Sequence, residues 1–292
     1  MKEGSLDVVM VSYKSPEDVA AVERDLPGMT RMPYRLHYFD NSANVKTLSA
    51  LWNDLGRQGE GEFVAFLNTD IRLSPGWDER LVLGLWTPPE FGVAIPRPIG
   101  HDWPTLADPK AAPYPDPWTA AAPPPNVMAM MADKYEKDPG FYVFRECTAS
   151  FYTVLMRRCL WEEMKGFDER LRFYGQDHDF QRRLAKRKKL WAVRVNRCPV
   201  WHRCAGSVKK AIGDVDFDAE MNHCGNYGVQ IINQAIKEWD LLGEGERLSV
   251  REDPRFRSMP RVVPKYEPAK FIAVSPKEEP VKPAVVYPSK PQ

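Results

Sequence analysis

Short apolar runs and helical periodicities alternate along the first hundred residues of the chain. Four runs have the composition of strands buried on both faces: residues 6–11, 34–39, 63–67 and 91–95. Helical spacing lies between and after them, from Pro16 onward, over residues 47–55, and from Ser74-Pro75 onward. This alternation predicts an α/β fold with a parallel, doubly wound sheet.

The first helix starts with a capping pattern. Ser15 stands at the N-cap position, Pro16 at the first helical position, and Asp18 is placed to return the cap. We therefore expect a helix that begins at Pro16 and is closed by its own side chains.

The pattern resumes in the second half of the chain. It predicts a strand, a helix, a turn, a helix and a final strand over residues 150–156, 157–165, 166–169, 177–188 and 190–195. No internal repeat is seen. Residues 1–250 are therefore expected to form one domain.

Two proline-rich stretches interrupt or follow this pattern. Residues 96–125 contain ten prolines, which predicts a loop without a central strand or a helix. Trp103, Tyr114 and Trp118 make it a candidate binding loop on the acceptor side. Residues 251–292 are rich in Pro, Lys and Val without a period, which predicts an extended tail available for docking a partner.

Composition narrows the class of protein only slightly. The 292 residues include 41 Lys plus Arg and 40 Asp plus Glu, so net charge predicts neither a nucleic-acid nor a membrane partner. No apolar run has the length of a transmembrane helix, and the N-terminus does not resemble a signal peptide. Five widely spaced cysteines suggest free thiols. These features predict a cytoplasmic protein, either free or peripheral to a membrane.

The strongest chemical signal is the tripeptide Asn68-Thr69-Asp70, directly after the strand at 63–67. Ligands bind at the carboxyl ends of strands in open α/β sheets. An exposed carboxylate there can hold a divalent cation, and that cation can neutralise a diphosphate. The alternative is a loop whose Asp caps the next helix.

Two further positions are candidates for chemistry. Asp177 and Asp179 open a helix, where one carboxylate can pair with Arg183 and the other can face a cleft as a general base. The simpler interpretation is that both are acidic residues at a helix N-terminus, which the helix dipole favours. His202 lies in a segment that follows the last predicted strand, and a lone histidine is more often a packing or surface residue than a ligand. A zinc site that includes His202 and neighbouring cysteines is disfavoured, because the spacing contains no C-x₂-C pair.

Taken in order, these segments resemble family 2 glycosyltransferases with the GT-A fold, over roughly residues 6–205. The segment from Leu67 through Asp70 to Trp77 is similar to the family's "NxD…PGW" pattern. The segment from Gly166 to Arg183 is similar to its "GFDE…yxEDxDxxxR" pattern, and Val200-Trp201-His202 resembles its closing histidine. The order and spacing together carry the resemblance.

The resemblance implies a metal-dependent, inverting transfer from a nucleoside-diphosphate sugar to an acceptor hydroxyl. Asp177 is implied as the base, and Asp70 and His202 as ligands of Mn²⁺ or Mg²⁺. Asp40 is implied to bind the nucleobase. The implied donor-binding residues together are Ser12, Tyr13, Asp40, Asn53, Asn68, Thr69 and Asp70.

Two departures keep other functions open. Asn68 replaces the first acidic residue of the metal motif, and Gln176 stands where Glu is usual before the base. Both favour, as an alternative, a GT-A module that binds without catalysis. A nucleotidyltransferase is less favoured, because residues 12–16 contain no glycine-rich loop.

The acceptor is left open among a glycan, a lipid-linked sugar, a small molecule, a protein and modified nucleic acid. A basic run over residues 182–189 is either a solvated helix face or a surface for an anionic acceptor such as DNA or phospholipid.

Overall fold

The computed structural model describes residues 2–86, 90–99, 122–138, 140–145, 149–169, 171 and 175–203. In chain order the elements are β1 (Lys2–Ser12), α1 (Pro16–Met29), β2 (Tyr34–Asp40), α2 (Leu48–Gly56), β3 (Gly61–Leu67), β4 (Ile71–Arg72), α3 (Trp77–Trp86), β5 (Phe91–Ile99), α4 (Pro125–Glu136), β6 (Phe141–Phe144), β7 (Thr153–Arg157), α5 (Arg158–Glu163), α6 (Gln176–Lys188) and β8 (Trp191–His202). Each strand and helix expected from the sequence is present. The last strand continues past its expected end to His202.

The described strands form a mixed, mostly parallel sheet in the order β2-β1-β3-β7-β5-β8-β4, with β6 also paired to β8. Strands β2, β1 and β3 are parallel to one another, and β5 is parallel to β8. Strand β7 runs antiparallel between β3 and β5, and β4 and β6 run antiparallel to β8. Because β2, β1 and β3 are parallel, their carboxyl ends meet at one edge of the sheet.

Helices cover both faces of the sheet. Alternate residues of β1 show this division: Val8 packs in the core shared with α1 and α3, whereas Val9 packs in the core shared with α2, α5 and α6. Both valines are fully buried. This explains why β1 and β3 are apolar at successive positions rather than at alternate ones.

The expectation that residues 96–125 contain no central strand and no helix is wrong at both ends. Strand β5 continues through Pro96 and Pro98 to Ile99. Its ladder to β7 contains only Val93 and Ala94, so the prolines pair with β8 alone, at an edge where a missing N–H is tolerated. Helix α4 begins at Pro125, where the first turn needs no donor.

Several sequence-based predictions fall outside the described residues. These are the central part of the proline-rich loop with Trp103, Tyr114 and Trp118, the domain boundary near residue 250, and the tail at 251–292. Of the five cysteines, Cys159 and Cys198 are described, and both are free thiols. No helix within the described ranges is long and apolar enough to cross a bilayer.

Helix α1 begins at Pro16 as predicted, but its capping differs. Ser15 makes no capping hydrogen bond, and its hydroxyl lies 3.2 Å from the Thr69 hydroxyl. Asp18 does not return the cap; its carboxylate forms an ion pair with Arg203. Both side chains therefore tie the start of α1 to segments at the carboxyl edge of the sheet.

Candidate active site

The ends of β1 and β2 are joined by a small polar network. The Ser12 hydroxyl donates to Oδ1 of Asp40 at 3.1 Å and lies 2.7 Å from the Tyr38 hydroxyl. Oδ1 of Asp40 also accepts from the backbone N–H and the hydroxyl of Ser42, at 3.0 and 2.6 Å. Asp40 is exposed, and within the described residues these bonds all end on Oδ1. Its Oδ2 accepts none of these bonds.

The loop after β1 connects this network to the metal motif. The backbone N–H of Lys14, a residue with φ of +46°, donates to Ser42 at 3.0 Å. One residue later Ser15 approaches buried Thr69. Tyr13, directly before Lys14, is partly exposed, with the Lys14 ammonium 5.1 Å from its ring centroid. The loop therefore spans from Asp40 to the residue that precedes Asp70.

Asp70 and His202 are brought together by the pairing of β4 with β8. Ile71 lies opposite His202 in this short antiparallel ladder, and the backbone N–H of Arg203 donates to the carbonyl of Asp70 at 3.0 Å. Nε2 of His202 lies 3.4 Å from Oδ1 of Asp70 and 3.4 Å from the side-chain amide nitrogen of Asn68. Both distances exceed that of a normal hydrogen bond.

Asp70 is not the exposed carboxylate that the sequence suggested, because only 4% of the residue is accessible. Burial would raise the pKa of this carboxyl, but the nearby His202 imidazole and the charge of Arg203 outweigh it. The pKa of Asp70 therefore lies below its ordinary value. The site holds an ionised carboxylate in surroundings with little water, which suits cation binding.

The donor set fits a divalent cation. Asp70 offers a carboxylate, His202 an imidazole nitrogen, and the Asn68 amide can turn its oxygen inward. Within the described ranges no group of three His, Cys, Asp or Glu side chains could hold a metal. A cation here would have two strong protein ligands and one weak one, and diphosphate oxygens and water would complete its shell.

Asp177 lies in the first turn of α6 and is partly exposed. Its Oδ1 accepts the backbone N–H of His178 at 2.8 Å. Buried Gln181 ties this end of α6 to Ala149, through bonds of 3.0 and 2.7 Å. Three residues after Ala149, the Tyr152 carbonyl accepts the backbone N–H of Asn68 at 2.9 Å. Asp177 and the metal motif are thus linked through the segment that leads into β7.

Asp179 has the structural pairing predicted for it. Its Oδ2 lies 2.8 Å from Nε of Arg183, one helical turn later. The same guanidinium donates to the carbonyls of Met164 and Gly166, at 2.6 and 2.9 Å. Arg183 therefore fastens α6 to the end of α5, and Asp179 orients it.

Asn53 is engaged with the turn after α5 rather than with the strand ends. Its amide donates to the Phe167 carbonyl and accepts the Phe167 N–H, both at 2.8 Å, and it is 1% exposed. Gly166, with φ of +66°, makes the approach possible, since a Cβ there would lie 2.3 Å from Oδ1 of Asn53. This geometry makes Asn53 a positioning residue for the turn before α6.

The basic run at 182–189 is not a uniform surface. Arg182 is buried, Arg183 is used in the turn, and Lys188 pairs with Glu163. Lys186, Arg187 and Lys189 are exposed, but they lie at the opposite end of α6 from Asp177. A helical rise of about 1.5 Å per residue places them about 14 Å or more from the start of the helix. The exposed charge is therefore not adjacent to the candidate base.

Some residues near the site were missed by the sequence analysis. Arg72 lies 3.8 Å from Asp18, which also pairs with Arg203, so two guanidinium groups approach one buried carboxylate beside Asp70. The ring of Tyr152 stacks on His202. These contacts join distant segments and leave no local pattern.

No protein-family model matches the sequence, and no curated protein matches it either. Among solved structures, the mannosyltransferase PcManGT from Pyrobaculum calidifontis in complex with GDP-Man and Mn²⁺ is similar with a TM-score of 0.51 and 11% identity, covering 83% of this chain and 65% of that one. GalNAc-T7 with UDP, GalNAc and Mn²⁺ is similar with a TM-score of 0.49 and 12% identity, covering 68% of this chain and 43% of that one. S. aureus TarS 1-349 in complex with UDP-GlcNAc is similar with a TM-score of 0.46 and 12% identity, covering 75% of this chain and 65% of that one.

The chain spans less than two thirds of the length of each of these structures. At such low identity the likeness concerns architecture. The likeness to PcManGT confirms the fold that the sequence resemblance implied: this chain has the GT-A fold.

Proposed function

We propose that this protein is a metal-dependent, inverting glycosyltransferase that moves a sugar from a nucleoside-diphosphate sugar to an acceptor hydroxyl. The observation that carries the proposal is the meeting of Asp70 and His202 at the strand edge where Asp40 also lies. The two residues are distant in sequence, and their convergence leaves one ionised carboxylate and one imidazole facing each other at 3.4 Å.

The donor half of the reaction follows from the strand ends. Oδ2 of Asp40 accepts a hydrogen bond from the nucleobase, and Ser12 and Tyr13 line the same pocket. Asp70 and His202, with the Asn68 amide, hold the cation. Bound Mn²⁺ or Mg²⁺ supplies positive charge that stabilises the departing nucleoside diphosphate. Thr69 and Asn53 act through the segments they position.

The acceptor half rests on Asp177. Its carboxylate takes the proton of the acceptor hydroxyl, whose oxygen forms a bond to the anomeric carbon. The bond from that carbon to the diphosphate oxygen breaks, its electron pair leaves with the nucleoside diphosphate, and the anomeric configuration inverts. Partial exposure of Asp177 at the start of α6 leaves it accessible to an acceptor.

The primary test is release of nucleoside diphosphate from a panel of nucleotide sugars, with and without Mn²⁺. We expect metal-dependent release with one donor class and a loss of about 100-fold or more in Asp70→Asn. Asp54→Asn is the matched control, because Asp54 is a partly exposed carboxylate on α2 that pairs with Lys46 at the surface. Absence of both release and calorimetric donor binding across the panel would refute the proposal.

A second test separates the base from the donor site. Asp177→Asn keeps the shape of the side chain but cannot take a proton, so turnover should fall by about 10²–10⁴-fold while donor affinity stays within about twofold. Wild-type turnover in this variant would remove Asp177 from the base role. Screening acceptors with one active donor would then identify the acceptor class.

The second candidate is a GT-A module that binds the donor without transferring the sugar. Asn68 and Gln176 at positions where acidic residues are usual favour it. It predicts calorimetric binding of nucleoside diphosphate and Mn²⁺ to wild type, with no release from any donor.

A further inference from the structure

Tyr152 contacts both parts of the candidate metal site, the segment at Asn68 after β3 and His202 at the end of β8. Its ring stacks on the imidazole of His202, with centroids 4.7 Å apart and planes inclined by 13°. Its hydroxyl donates to the carbonyl of Pro96 at 2.7 Å, and only 3% of the residue is exposed. The tyrosine ring is thus held at both its edge and its face.

The backbone of the same residue reaches the other half of the site. The Tyr152 carbonyl accepts the N–H of Asn68 at 2.9 Å, which fixes the first residue after β3. One position therefore touches the Asn68 segment through its main chain and His202 through its side chain. A substitution removes the second contact and leaves the first in place.

The contacts of His202 with Asp70 and Asn68 are long. His202 is the last residue of β8, and its imidazole contacts Asp70 and Asn68 only at 3.4 Å, so neither of these contacts fixes the ring plane. Stacking against a buried ring does fix it, because rotation of the imidazole would drive it into the tyrosine. Partners that orient a ligating histidine commonly change metal affinity about 10- to 100-fold when they are removed.

We infer that Tyr152 is a positioning residue that holds the His202 imidazole in the orientation needed to bind the cation. This inference rests on the proposed function, since it assumes that His202 is a metal ligand. The tyrosine does not touch the cation itself. Its contribution is to reduce the number of imidazole orientations that must be lost on binding.

The test is a double-mutant cycle in which the affinity for Mn²⁺ is measured in the presence of UDP or GDP. The electron paramagnetic resonance signal of free Mn²⁺ reports this affinity. Tyr152→Leu should weaken binding about 10-fold in the wild-type background and less than about twofold in the His202→Ala background. Tyr152→Phe keeps the ring and should stay within about threefold of wild type. Phe151→Leu is the matched control, because this neighbouring buried aromatic packs against Phe180 in the other core.

An equal loss in both backgrounds, or no loss in either, would overturn the inference while leaving the metal site intact. If wild type binds no Mn²⁺ with either nucleotide, the proposed function fails and the inference fails with it.

The stack itself has a readout that needs no metal. The His202 ring protons, identified by their loss in His202→Asn, should move downfield in Tyr152→Leu because the ring current of the tyrosine is removed. Unchanged shifts would overturn the inference. If Tyr152→Leu does not fold, Tyr152→Met fills more of the same volume without a ring and is judged by the same two measurements.

Discussion

Two clusters around a buried carboxylate in this molecule differ in how closely that carboxylate is paired. The first, called here the closed cluster, joins Asp7, His37 and Arg158. Oδ1 of Asp7 lies 2.7 Å from Nε2 of His37. Oδ2 of Asp7 accepts hydrogen bonds from the Arg158 guanidinium at 2.7 Å and from the backbone N–H of Gly61 at 2.5 Å. The second, the open cluster, joins Asp70, His202 and Asn68 at contacts of 3.4 Å.

The surroundings differ in the same direction. Side chains of the closed cluster are 1–3% exposed, and the backbone of Gly59 packs so closely on Asp7 that a Cβ there would lie 2.3 Å from Cγ of Asp7. The side chain of His202 in the open cluster is 11% exposed. A buried carboxylate whose partners are all short and internal stabilises the fold, whereas one whose partners are long and reach the surface retains capacity for a ligand.

The largest stability effect is expected at the closed cluster. Asp7→Ala leaves Arg158 charged in the core, because a guanidinium does not lose its proton, and removing one partner of a buried pair costs about 3–5 kcal/mol. Urea unfolding measures this change. Mn²⁺ and donor affinity should stay within about twofold for the folded fraction, which is the reverse of the result expected for Asp70→Asn. A loss of unfolding free energy below about 1 kcal/mol would show that the closed cluster is not structural.

The stability that the closed cluster contributes depends on pH. Burial would raise the pKa of Asp7, but bonds from His37 and Gly61 and the charges of His37 and Arg158 bring it below its ordinary value. Its stabilising contribution is therefore complete above about pH 4, where the unfolded carboxyl ionises, and is lost as the pH falls through the lower folded pKa.

At Asp78 the dependence of unfolding free energy on pH has the opposite sign, and the expected effect is smaller. Burial raises its pKa to about 6, although the backbone N–H groups of Arg31 and Met32 donate to it. Between about pH 4 and 6 the folded state holds a proton that the unfolded state has released, so stability falls by about 3 kcal/mol as the pH rises. Asp78→Asn should flatten this part of the curve, as measured by urea unfolding from pH 4 to 7. A slope equal to that of wild type would contradict the assignment.

The sequence predicted the strands and helices because β1 and β3 are buried on both faces and their apolar runs are continuous. It did not predict that β7 runs antiparallel, because an apolar run carries no information on direction. The Tyr152–His202 stack joins the residue before β7 to the end of β8, and a contact between segments distant in sequence has no local pattern.

The closed cluster did leave a signal. Asp7 lies within the apolar run at 6–11, and a carboxylate in a strand buried on both faces requires a partner. The sequence-based predictions did not include this cluster, although His37 in the run at 34–39 has the chemistry of such a partner. In the candidate site, the position of Asp70 at a strand end was predictable from the pattern, but its burial was not, because burial depends on β8 extending to His202.

The smallest effect on stability is expected at Asp179. It distinguishes the role of this carboxylate from that of Asp177 in the same helical turn. Asp179→Asn keeps a neutral acceptor for Arg183 but removes the charge, and we expect a loss of about 1–2 kcal/mol in the free energy of unfolding. The loss is limited because Arg183 keeps its bonds to the Met164 and Gly166 carbonyls. Thermal unfolding of this variant beside Asp177→Asn measures the contrast, since Asp177 is partly exposed and its described side-chain bond is the local one to His178. Stability lost in Asp177→Asn but kept in Asp179→Asn would reverse the two roles, and with them the distinction between an open carboxylate that acts and a paired one that holds the fold.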